Sequence, residues 1–202
     1  EYGKYSKQVN QKFLCISDHG AMGSVPRQIR ACDENNLEPI FACELYVNQL
    51  QPDTTTIPSM TEFNRGLGTQ EEQAKLRKSN HLLAIAYNET GYSNLVTLSS
   101  WGWTRGFYRK PRVNHEVLMQ YKEGIIFTSC CYNSEIGQAF DVGGEGPAME
   151  MVEKYMAMFG ENFYLEIMLL DFSKQKPYDE FIIKASQKYN LPIIVTNDCH
   201  YC

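Results

Sequence analysis

Short apolar runs alternate with longer stretches in which apolar residues recur at wider spacing. Phe13 to Ser17 is the first compact run. Pro39 to Val47, His81 to Tyr87, Ile125 to Ser129, Phe163 to Ile167 and Pro192 to Thr196 follow. Near-continuous apolar runs of this length predict parallel strands covered on both faces. Between them the period becomes helical. Val25, Ile29 and Cys32 recur at i, i+4 and i+7, with Asn35-Asn36 as the stop. Asn114 can cap a short helix carrying Val117, Leu118 and Tyr121. Val152, Tyr155, Met156 and Phe159 define another helix, with Gly160 as its C-terminal cap. Tyr178, Phe181, Ile182, Ala185 and Tyr189 define the last.

The alternation predicts an α/β protein with a mostly parallel sheet. Residues 51–80 break the rhythm: they are polar, with Thr54-Thr55-Thr56, Gly66 and Gly68, and read as a long excursion. Alternation alone leaves an open sheet and a barrel both standing. The reactive residues cluster at strand ends. Asp18-His19 follows the first run, Glu44 lies late in the second, Cys130-Cys131 follows the fourth, and Asp198 and His200 follow the last. Active sites of barrels and open α/β sheets occupy that edge.

The chain has 202 residues, the size of one domain. Its net charge is −5, from 19 basic and 24 acidic residues. A self-sufficient DNA-binding module is normally basic, so DNA contact is expected only as part of a larger enzyme. No run approaches the ~18 apolar residues of a membrane span, and Glu1 to Tyr5 carries no secretory signal pattern. The seven cysteines offer a single Cys-x-x-Cys pair, Cys199 to Cys202, where a zinc ribbon needs two, and a disulfide framework does not suit this length and spacing. Cys15, Cys32 and Cys43 sit in apolar runs and read as buried thiols. The expected compartment is the reducing cytoplasm.

Two of the four histidines neighbour aspartates, in Asp18-His19-Gly20 and Asp198-Cys199-His200. Imidazole with carboxylate is a common donor set for zinc, manganese or iron. Each pair alone is also compatible with a capped loop. Asp18 reads as orienting His19 or capping the next helix rather than ligating metal. His115 opens a polar helix start and is expected to be solvated. No Gly-rich phosphate loop or nucleophile elbow is present.

Ile16-Ser17-Asp18-His19-Gly20-Ala21-Met22 resembles the second motif of the polymerase-and-histidinol-phosphatase (PHP) superfamily. Pro39 to Val47 is similar to the PIIGCEAYV strand of its DNA polymerase III alpha branch. His81 to Leu95 resembles HLxLLAxNxxGYxNL, and Gly106 to Val113 resembles GFYxKPRx. Ser129 to Ile136 resembles SGCxxGEI, with Cys130 and Ser134 in place of glycines. Phe163 to Ile167 and Thr196 to Tyr201 resemble FYLEI and TNDVHY. The motifs run in order along nearly the whole chain.

The resemblance implies a distorted (β/α)7-type PHP barrel, here one domain over residues 1–202 without its first strand. It implies that the chain is a fragment, lacking a His-x-His strand before Asp18 and a polymerase core after His200. It implies up to three divalent ions, of zinc, manganese or iron, in the complete domain. Glu44 would bridge two of them, His81 and Cys131 would complete one site, and Asp198 would serve the other. His19 and His200 would hold the third. Cys131 aligns with the family ligand, so Cys130 is expected to be a packing thiol that points away, as neighbours do on an extended chain. Lys110 and Arg112, beside Phe107 and Tyr108, could meet DNA phosphates or a neighbouring domain. The implied activity is metal-dependent 3′–5′ exonuclease or phosphoesterase chemistry within a replicative polymerase. DNA, downstream polymerase domains, a sliding clamp and other replisome subunits would be the partners. A non-catalytic scaffold and a stand-alone phosphatase are the alternatives.

Overall fold

The computed structural model describes residues 1–48, 74 and 77–200. Most of the 51–80 excursion lies outside the described residues. The elements in order are α1 (Tyr2–Gln8), β1 (Phe13–His19), α2 (Val25–Asn35), β2 (Glu38–Val47) and β3 (Asn80–Ala86). There follow α3 (Glu89–Thr104), β4 (Phe107–Tyr108), β5 (Lys110–Val113), α4 (His115–Gln120) and β6 (Ile125–Thr128). The last are α5 (Glu135–Gly143), α6 (Glu145–Phe159), a 3₁₀ turn (Gly160–Asn162), β7 (Phe163–Met168), α7 (Gln175–Tyr189) and β8 (Ile193–Thr196).

The six predicted runs are all strands of one sheet, ordered β1-β2-β3-β6-β7-β8, with β4 and β5 added beside the end of β2. The sheet curls into a half-barrel. The ring of His19, at the end of β1, lies 6.0 Å from the ring of His200, beyond β8, although four strands separate them in the sheet. The expectation of a mostly parallel sheet needs correction at β3. It runs antiparallel to both β2 and β6. An apolar run carries no sign of direction, so periodicity could not reveal this. The consequence is functional: the N-terminal end of β3, where His81 sits, lies at the same edge as the C-terminal ends of β1 and β2 (Tyr46 opposite His81, Glu44 opposite His19).

Each strand divides its residues between two faces, as period-2 geometry requires. Cys43, Leu45 and Val47 of β2, Leu82 and Ala84 of β3, Ile125 and Phe127 of β6, and Phe163 and Leu165 of β7 join the main core. Leu95 and Leu98 of α3, Val152 and Tyr155 of α6, and Phe181 and Ile182 of α7 pack against them from outside. The intervening positions, Glu44, His81, Thr128 and Glu166, therefore face inward. A smaller cluster of Leu14, Cys32 and Leu37 seals α2 onto β1. Cys15 is exposed, not buried as expected. Its strand pairs only with β2 among the described residues, so the inner face of β1 lies open.

Asn114 caps α4, accepting from the Val117 amide at 2.9 Å, and Gly160 ends α6 with φ 57°, both as predicted. Helices α3 and α5 were not predicted. The buried face of α3 is Gly91, Leu95, Leu98, Ser99 and Gly102. Three of these five are glycine or serine, so the helical period is real but carries little hydrophobic signal. Gly91 is required by close approach. A Cβ there would come within 1.8 Å of the Gly124 carbonyl oxygen.

Candidate metal centre

Glu44 stands at the centre of the sheet's reactive edge, and two groups of donors share it. One ligand atom from each of His19, Glu44 and His81 lies within 4.8 Å of the others, and the same holds for Glu44, Cys130 and Cys131. His19 Nδ1 is 3.5 Å from Glu44 Oε1. His81 Nδ1 contacts the same oxygen and lies 3.3 Å from Cys131 Sγ. The two imidazoles differ in access: the side chain of His19 is 41% exposed and that of His81 14%.

Local structure fixes each donor. The loop after His19 is held by Gly20, whose carbonyl oxygen accepts from Trp103 Nε1 at 2.9 Å and Ser99 Oγ at 3.2 Å. Gly20 has φ +60°, and a Cβ there would meet Pro111 at 2.6 Å. Asp18 turns away from the donors and accepts the Ser24 amide at 2.8 Å, fixing the entry to α2. His81 is pinned through its backbone, its amide donating to the Asn133 carbonyl at 3.1 Å. Sequence reasoning missed Tyr46, two residues beyond Glu44 on the same face. Its ring stacks on His19 at 5.7 Å and meets His81 edge-on at 5.3 Å. Glu166, at the matching place on β7, is 2% exposed and accepts from Thr128 and, at 2.6 Å, from Thr196 Oγ1. Burial raises its pKa, and the two threonine hydrogen bonds oppose that rise.

Asp198 and His200 reach the same edge but stand outside the tight cluster. They pair with each other at 3.3 Å, in more exposed positions. Lys110 Nζ lies 4.3 Å from the centroid of the Tyr46 ring, one ring away from His19. Arg112 does not fit the expected phosphate contact. It is 1% exposed, its guanidinium packs 5.1 Å from the Tyr108 ring, and desolvation lowers its pKa to about 10. The hairpin of β4 and β5 turns its basic residues alternately out and in, which a linear reading of GFYxKPRx cannot show. His115 is not solvated. Its Nε2 lies 2.6 Å from Glu135 Oε2 in a half-buried pair.

Cys130 also departs from expectation. Its φ is 55°, so the chain is not extended there and the rule that neighbours face opposite sides does not apply. Both thiols face Glu44.

The site holds an unusual thiol–imidazole pair. The hydrogen bond from Cys130, opposed by burial and joined by His81, lowers the Cys131 pKa from 9.0 to about 5. Burial would lower His81, but hydrogen bonds to Cys131 and Glu44 outweigh it and raise the imidazole from 6.5 to about 9. Oxygen, nitrogen and sulfur donors thus converge around a single Nδ1 proton, in a place a cation could take. The set fits zinc, manganese or iron. In the metal-free protein, ultraviolet thiolate absorbance assigned by difference from Cys131→Ser should vanish only as pH falls through about 5. The signs for stability follow by linkage. The Cys131 contribution is fully present above 9.0 and is lost as pH falls through about 5. The His81 contribution is present below 6.5 and is lost as pH rises through about 9. A Cys131 midpoint near 9 would mean that the pair does not exist.

The protein is thus an α/β scaffold with a curled sheet that gathers carboxylate, imidazole and thiol donors on one edge. The PHP domain model matches residues 1–169, and the chain belongs to the PHP family. It is 33% identical over 197 residues to the DNA polymerase III subunit alpha of Treponema pallidum, covering 97% of this chain and 16% of that protein. It is 28% identical over 201 residues to that of Aquifex aeolicus, covering 100% of this chain and again 16% of that protein. The chain therefore spans about a sixth of the length of these relatives. Among solved structures, an amidohydrolase from Chromobacterium violaceum superposes with TM-score 0.58 at 9% identity, covering 99% of this chain and 81% of that one. A protein assigned as a metal-dependent phosphoesterase from Bifidobacterium adolescentis gives 0.51 at 11% identity, with the same coverage. These two likenesses establish the barrel-type fold. Among the described residues, no helix is long and apolar enough to cross a membrane.

Proposed function

We propose that this chain is the PHP domain of a bacterial-type DNA polymerase III alpha subunit, and that its reactive edge is a divalent-metal phosphoesterase centre acting as a 3′–5′ exonuclease. The observation that carries the reading is the sharing of the Glu44 carboxylate by His19 and His81 on one side and the Cys131 loop on the other. In this reading Glu44, His81 and Cys131 hold one ion. His19, Asp198 and His200 serve further ions. Divalent ions, of zinc, manganese or iron, would supply Lewis acidity and an activated water for attack on a phosphodiester. Lys110, raised on Tyr46 beside His19, would meet the phosphate. Chain extension from deoxynucleoside triphosphates, and contacts with a sliding clamp and other replisome subunits in the cytoplasm, would belong to the rest of the polymerase.

The exposed position of Asp198 and His200 keeps a second reading in play, a metal-bound scaffold without catalysis. The deciding experiment uses the full-length gene product with 3′-labelled single-stranded DNA and manganese or zinc. The exonuclease reading expects chelator-sensitive release of mononucleotides that falls at least ~100-fold in His19→Ala, as loss of a metal-site group does. Stoichiometric metal without any release would leave the scaffold.

A further inference from the structure

We propose that Cys130 is itself a metal ligand, so that Glu44, His81, Cys131 and Cys130 form a two-thiolate pocket selective for a soft divalent cation such as zinc. The inference rests on the metal-centre reading above and adds a donor to it. Cys130 is 3% exposed and buried, yet it is not a member of the main apolar cluster. Its φ of 55° is costly for a residue with a Cβ that is not asparagine or aspartate. Such conformations persist where the surroundings enforce them, and they collect at functional sites. Here the enforcement is visible: the Cys130 amide donates to Thr128 Oγ1 at 3.1 Å. This places the Cys130 sulfur on the same side as that of Cys131 and within 4.8 Å of it and of Glu44. Zinc bonds of ~2.3 Å to sulfur and ~2.0 Å to oxygen or nitrogen separate tetrahedral donors by roughly 3.3–3.8 Å. Contraction of about an ångström would bring Glu44, Cys130 and Cys131 to that spacing, and His81 Nδ1 already lies 3.3 Å from Cys131 Sγ.

Two consequences follow. Thiolates prefer zinc to manganese, so this pocket discriminates where a carboxylate–imidazole site does not. Four protein donors also close a zinc site to solvent. The ion held here would anchor the edge, leaving any water to an ion on the His19, Asp198 and His200 side. Ligation by Cys130 releases its thiol proton to solvent, which keeps the charge balance.

The test uses the full chain loaded with cobalt(II). Thiolate-to-cobalt charge-transfer intensity per bound ion should be about twice that of Cys130→Gly and of Cys130→Ser. Zinc-over-manganese preference, measured by competition, should fall at least ~10-fold in both variants, the scale of a lost ligand-shell interaction. Glycine relieves the positive φ at this position, so folding is not at stake there. Equal intensity in wild type and both variants overturns the proposal and leaves the metal centre intact. A wild-type chain that binds neither cobalt nor zinc overturns this proposal and the metal-centre reading together.

Discussion

Glu44→Ala should weaken zinc binding at least ~100-fold, about 2.8 kcal/mol at 1.4 kcal/mol per decade. Calorimetric titration of the purified chain would read this directly. Glu44 belongs to both donor groups, whereas His19, His81, Cys130 and Cys131 each belong to one. Removing any of the four leaves one group whole, and removing Glu44 breaks both. The carboxylate also supplies the anionic partner of His81. Its hydrogen bond and charge help to raise the His81 pKa, so its removal eases deprotonation of the imidazole, and the affinity lost is that of the shared anionic donor. Glu44→Gln separates these effects, because the amide keeps size and hydrogen bonding but not charge. It should lose nearly as much affinity as alanine. Glu34, exposed on α2, supplies the control. An affinity for Glu44→Ala within threefold of wild type would remove this edge from the candidate metal sites.

The strands and the active edge could be read from the sequence because apolar runs and strand-terminal polar residues are local features. Direction was not local. His81 begins its run while the other candidates end theirs, and only the antiparallel pairing of β3 brings it opposite Tyr46 and next to Glu44. Conformation was not local either. The Cys130-Cys131 pair looks extended after a β run, but the positive φ at Cys130 turns both sulfurs inward. Helix α3 escaped notice because glycine and serine do the packing that leucine usually does. Arg112 and His115 failed for a shared reason. A basic or polar residue in a polar stretch reads as solvated, yet Arg112 is covered by Tyr108 and His115 by its carboxylate partner. Tyr46 and Glu166 were legible in principle. Each occupies a site-facing position of a strand whose alternate residues fill the core.

The pair that hides His115 sets the other large effect. Glu135→Ala should destabilise the chain by about 3 kcal/mol, the cost of leaving a buried partner uncompensated. The Glu135 carboxylate accepts from Tyr155, whose OH lies 2.6 Å from Oε2, and contacts His115 at the same distance. It thereby joins α4, α5 and α6 at one point. Tyr155 is 1% exposed, so its hydroxyl would lose this acceptor where water cannot replace it. Glu135 also opens α5, where Ser134 Oγ accepts the Gly137 amide at 3.1 Å and a carboxylate favours the helix dipole. The preceding turn, Cys131 to Ser134, is the one that holds the His81 backbone through Asn133. Chemical denaturation should therefore show the loss in stability, and zinc titration should show weaker binding although Glu135 touches no donor. Glu135→Gln should recover part of the stability, since its amide oxygen can still accept from Tyr155. A loss below about 1 kcal/mol for Glu135→Ala, within the ordinary range of a single neutral hydrogen bond, would mean that the three helices are held by their apolar contacts alone.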